Sequence, residues 1–167
     1  IANAKADLPA VKPYHPNKDF NAYWYAGKAE LCSYDFTIDR YGELRTGYAV
    51  AVFVTEDFSR SKQVKLDNVV PSDAVPVLKL NAIQRFETGV YDYSVMQSVF
   101  TPIDYKTYPN SLKWNTTVQD WCGQVFTQLN LVPTGYKVSQ YSYFETEGDA
   151  QTTTAPAMLE SELFTRL

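Results

Sequence analysis

Residues 30–39 alternate without a break, with Cys32, Tyr34, Phe36 and Ile38 on one side and Ser33, Asp35, Thr37 and Asp39 on the other. Period two predicts a strand with one dry and one wet face. Arg40-Tyr41-Gly42-Glu43 predicts a tight turn. Residues 49–54, apolar on both faces, predict a second and more central strand. Together they read as a long antiparallel hairpin.

Two further hairpins follow. From Val77 onward, Leu78, Leu80, Ala82 and Phe86 are expected to face inward, with Lys79, Asn81 and Arg85 outward. Thr88-Gly89 turns the chain into a strand over residues 90–101. Leu112, Trp114, Thr116 and Val118 mark a short strand, and a turn at 119–123 leads into another from Gln124. Pro133-Thr134-Gly135 then turns into residues 136–145.

The connecting segments are polar. Residues 59–74 read as a long loop with a short strand at 63–66, and residues 147–155 as a loop of small polar residues. Asn17 and Asp19 are good caps for a helical turn through residue 25, whose Phe20, Tyr23 and Trp24 would plug one end of the sheet. After Pro156, Leu159, Leu163 and Leu167 fall at helical spacing and predict a C-terminal helix. Residues 1–18 read as an extended lead-in and 19–167 as one domain, cut short at its C-terminus. The expected fold is therefore mainly β: a curved antiparallel sheet, a half-barrel or open barrel of long hairpins, with a C-terminal helix.

Composition narrows the chemistry. Thirteen Tyr, nine Phe and three Trp suit pleated, half-buried surfaces and also binding surfaces. A net charge of −4 with no basic run argues against nucleic acid. No apolar run is long enough for a transmembrane helix. Cys32 and Cys122 offer either a disulfide in an oxidising compartment or two buried thiols. Without CxxC or a nearby Cys/His pair, zinc is not expected.

The sole imidazole, His15, sits in the Pro-flanked lead-in, which argues against Ser-His-Asp and Cys-His catalysis. The glycines are dispersed singly, so no phosphate cradle is expected, nor any cofactor. Glu145, Glu147 and Asp149 alternate and would present three carboxylates from one strand face. That face could serve glycoside hydrolysis, hold Ca²⁺, or be a solvated strand end. Glu30, Asp35, Glu43 and Glu56 are expected to pair with Lys28, Arg40 and Arg45 across strands.

Tyr91, Tyr93, Tyr141 and Tyr143 occupy alternating positions of two hairpins. Adjacent and exposed, they would form a platform for sugar rings or peptides; otherwise they cover a core edge. A curved sheet would also hold a hydrophobic ligand in its concave face, with Phe36, Val52, Leu80 and Met96 as the expected lining.

Several stretches carry a resemblance: Trp24-Tyr25-Ala26-Gly27-Lys28-Ala29-Glu30-Leu31, Arg40-Tyr41-Gly42-Glu43, Phe53-Val54-Thr55-Glu56, Val77-Leu78-Lys79-Leu80-Asn81, Gln119-Asp120-Trp121-Cys122-Gly123-Gln124 and Ser142-Tyr143-Phe144-Glu145. From about Phe20 onward the chain resembles a family of uncharacterised envelope proteins of Bacteroidetes bacteria. Some members carry a label as septum-formation inhibitors of the Maf type, which are nucleotide pyrophosphatases. The Ser-rich, Arg-containing phosphate-binding start of those enzymes is not in this sequence. The resemblance implies a longer lipoprotein, extracytoplasmic and outer-membrane-associated, with a lipid-anchoring cysteine ahead of Ile1. It supplies no catalytic residue. The function expected is a non-catalytic scaffold or partner-binding module of the cell envelope, engaging an envelope protein. The alternatives are a carrier of a hydrophobic ligand or lipid, and a carboxylate-dependent hydrolase.

Overall fold

The computed structural model describes residues 18–68 and 72–166. Each alternating stretch becomes a strand, and each strand pairs with the next in sequence, whether a tight turn or a longer loop joins them. The result is a meander: β1 (Glu30–Arg40), β2 (Glu43–Ser59), β3 (Ala74–Thr88), β4 (Tyr91–Pro102), β5 (Lys113–Gln119), β6 (Gln124–Val132), β7 (Gly135–Ser142) and β8 (Ala150–Thr154). They pair antiparallel in chain order in one eight-stranded sheet that does not close. The β1–β2 turn has Tyr41 at φ 58° and Gly42 at φ 72°. Two left-handed residues make the primed turn that matches strand twist, and Gly42 takes its place there without steric cost.

Register assigns the faces. One rung runs Phe53, Leu80, Val99, Trp114 and Leu129 across β2 to β6. Phe53, Leu80 and Val99 are buried there with Leu78 and Ile103. Helix α1 (Lys18–Trp24) closes this end of the face, with Phe20 and Trp24 packed on the cluster. Trp24 meets Phe53 edge-on at 6.2 Å, and the Thr55 hydroxyl donates to the Trp24 carbonyl at 2.8 Å. The plug read from Phe20, Tyr23 and Trp24 is thus built by two of the three; Tyr23 is exposed and donates to Glu30 at 2.6 Å.

A second cluster gathers Phe58, Val75, Val77 and Leu112 at the same end, with Phe58 stacked on Phe100 at 4.6 Å. The polar loop after β2 crosses here and is tied down by Gln63. Its Nε2 donates to the Leu131 carbonyl at 2.6 Å, and its Oε1 accepts from Asn130 at 2.6 Å. The short strand expected at 63–66 is a single bridge, Phe58 to Lys65. One end of the sheet is thus filled, and the other is not.

Several expectations are corrected. Residues 150–154 are not loop but β8, where β-branched threonines pair with β7. β7 stops at Ser142 instead of 145, because the Glu147 and Gly148 amides bond back to the Phe144 carbonyl and make a turn. The C-terminal helix is only a 3-10 turn, Glu160–Phe164. Of its leucine stripe, Leu163 is exposed, Leu159 is half-buried and Leu167 lies outside the described residues; Glu162 is the fully buried residue. Glu162 accepts from the Ser111 amide at 3.2 Å and from Arg166 Nη2 at 2.6 Å, so a buried ion pair, not an apolar stripe, docks the segment. Beside it the Thr101 hydroxyl bonds those of both Ser111 and Thr165, and burial with the Glu162 charge pushes the Tyr136 hydroxyl above its usual pKa.

The lead-in boundary also moves, since Lys18 belongs to α1; residues 1–17, His15 among them, lie outside the described residues. Cys32 and Cys122 are both free, with β2 to β4 between β1 and the turn that carries Cys122. Glu56 pairs with Lys79, and Glu43 with Arg45 of its own strand.

Candidate functional site: the concave cavity

The open end owes its shape to a difference in register. β1 and β2 stay paired out to Arg40–Glu43, whereas β2 and β3 are paired only as far as Gly47–Phe86. Beyond Gly47 the β1–β2 tip leaves the sheet and bends across one face. A Cβ at Gly47 would lie 2.3 Å from the Arg85 carbonyl oxygen and 2.8 Å from both Phe36 and Phe86. Only glycine allows strands this close at the bend.

The tip is latched where it lands. Tyr41 Oη lies 3.0 Å from Tyr93 Oη, across the concave face. The Arg40 guanidinium stands 4.6 Å from the Tyr41 ring centre and 5.4 Å from that of Tyr93. Tyr93 in turn stacks on Phe86 at 4.9 Å, nearly parallel. Burial first, then the bond to Tyr41, raises the Tyr93 hydroxyl above its ordinary pKa; Asp120 adds to this and Arg40 opposes it. Tyr93 therefore enters the latch as a neutral phenol at physiological pH.

Beneath the tip lies a cavity of about 570 Å³. Phe86, Tyr93, Val95, Val118 and Val125 make its floor, with Gln84 among them. Ile38, Arg40 and Tyr41 wall it on the tip side; Asp120, Cys122, Phe144, Thr146 and Glu147 wall it from the β5–β6 and β7–β8 loops. Strands β1 and β6 thus line one space, because the β1–β2 tip reaches across the sheet. Behind the tip, a second open groove of about 600 Å³ separates it from the β3–β4 hairpin. The Asp120 carboxylate accepts from the Cys122 and Gly123 amides at 2.6 and 3.0 Å and so fixes its own turn.

The sequence-derived site residues are scattered by this geometry. Tyr93 is buried in the cavity floor. Tyr91 sits at the rim, edge-on to Trp121 at 6.3 Å. Tyr141 pairs with Phe126 on the opposite, convex face. Tyr143 is exposed at the β7–β8 loop, with its ring against Gly123. The four do not share a platform.

Glu145, Glu147 and Asp149 lie in a loop, not on a strand face. Glu147 accepts from the Ser142 hydroxyl at 2.9 Å and Asp149 from the Ser142 amide at 3.1 Å, so both shape the loop. Among the described residues no group of three His, Cys, Asp or Glu side chains is placed to hold a metal ion. The expected apolar lining fares no better. Leu80 is in the core, Met96 and Val52 are on the convex face, and only Phe36 borders the cavity region, edge-on to Phe86 at 6.2 Å. Val95, Val118 and Val125 were missed because each sits in a strand that alternates on both faces. Their common rung needs register, which the sequence does not print.

No family model, curated protein or solved structure matches the chain.

Proposed function

We propose that this chain is a non-catalytic binding module of the bacterial cell envelope, and that the concave cavity takes a small amphipathic molecule. The observation that carries the reading is the cavity itself. Its volume falls in the range of about 300–1,000 Å³ usual for small-molecule sites. Its floor is mainly apolar and aromatic, with Gln84 the polar exception, and Arg40, Asp120, Thr146 and Glu147 stand in its walls. An amphiphile placed there would bury its apolar part on Val95, Val118 and Val125 and keep its head among Arg40, Thr146 and Glu147. Binding is favoured over catalysis by what the mouth carboxylates already do: Asp120 and Glu147 hold their own loops. The envelope location rests on the family resemblance alone.

The test uses 1-anilinonaphthalene-8-sulfonate as probe and Val118→Trp as a plug. The parent protein is expected to bind the dye with a blue-shifted, saturable emission. Val118→Trp should weaken that binding about tenfold, a loss of roughly 1.4 kcal/mol, while Tm stays close to the parent value. Equal dye affinity in the two proteins would refute the cavity as the site. Mass spectrometry of the protein from its native source would also report any lipid at its N-terminus and so test the envelope location.

A further inference from the structure

The five most exposed large apolar side chains among the described residues are Leu44, Val90, Tyr143, Tyr41 and Trp121, each 70–76% exposed. They are not dispersed. In an antiparallel meander the β1–β2, β3–β4, β5–β6 and β7–β8 connections all emerge at one end, and these five residues occupy those four tips. Sheet tips in water are ordinarily polar. Exposed apolar side chains on all four tips, with Tyr41 itself lining the cavity, mark an interaction surface.

Charge says what kind. Residues 39–45, 85–92, 119–124 and 143–149 together carry eight carboxylates, three arginines and no lysine, a net charge of −5. The whole chain carries −4, so all of its excess negative charge is at this end and the remainder sums to +1. A second copy meeting tip to tip would bring two such fields together, and an anionic lipid surface would be repelled in the same way. A basic surface would be attracted. Exposed Trp and Tyr rings also accept lysine and arginine over their faces, as the tip's own Arg40 does over Tyr41.

We propose that the four hairpin tips dock a basic protein surface, with Trp121 and Tyr143 as its anchors and the surrounding carboxylates as its electrostatic guide. The docking surface stands independently of what fills the cavity. A partner seated there would cover the cavity mouth.

The test uses the full chain and a fluorescein-labelled peptide of alternating lysine and leucine, followed by anisotropy. Binding is expected to weaken markedly from low to high salt. The Trp121→Ser/Tyr143→Ser double variant should lose about tenfold in affinity, while Leu31→Ser, exposed on β1 away from the tips, should bind as the parent does. Both side chains are exposed, so the double variant should keep the parental Tm, and its dye binding reports the cavity separately. Parental peptide affinity in the double variant would overturn the proposal. So would equal binding of a glutamate-for-lysine peptide, tip-dependent self-association in sedimentation, or tip-dependent binding to phosphatidylcholine vesicles with no response to the basic peptide.

Discussion

Glu162→Ala is expected to lower stability by about 3 kcal/mol, which for a chain of this size is roughly 6–12 °C in Tm. The carboxylate is fully buried and holds two elements at once: the Ser111 amide before β5 and the Arg166 guanidinium. Removing it leaves a buried amide without an acceptor and a half-buried cation without its partner. Most of the loss is that penalty and not the worth of the pair itself. Glu162→Gln retains an acceptor for Ser111 but no charge for Arg166, and should fall between parent and alanine variant. Thermal melts of the three proteins check the order. An alanine variant that melts with the parent would show that the 3-10 segment is not docked through this residue.

Gly47→Ala is expected to cost about 2–3 kcal/mol through overpacking. The added methyl has nowhere to go, because its closest contact, at 2.3 Å, is backbone of β3 and not the end of a flexible side chain. Relief requires the β1–β2 tip to move away from Phe86, which would part Tyr41 from Tyr93. Two readouts should therefore change together: the urea midpoint falls, and dye release from the cavity quickens. A stable Gly47→Ala protein with parental release would mean that the bend does not depend on this glycine.

These two residues show what the sequence could and could not disclose. Alternation is a local property, so residues 30–39 and the strand from Gln124 were legible as written. β8 was not, because Gln151-Thr152-Thr153-Thr154 lacks an apolar face and becomes a strand only by pairing with β7. The C-terminal leucines fit a helix, yet tertiary burial of Glu162 outweighed their spacing. The candidate site was the least legible part. Its floor combines residues from β3, β4, β5 and β6, and its cover depends on where β2 stops pairing with β3. Tyr93 was picked out by its alternation with Tyr91, but its partner Tyr41 lies fifty-two residues earlier in the chain. Nothing in a one-residue turn signal announces such a contact.

Both buried clusters lie at the end of the sheet closed by α1 and the 3-10 turn, while the cavity occupies the other. Amide protons should therefore exchange along a gradient within single strands, slowest near Leu80 and Val99 and fastest toward Gly89 and Asp120. Guest molecules could then come and go by local breathing at the brim, while the base of the cup stays shut.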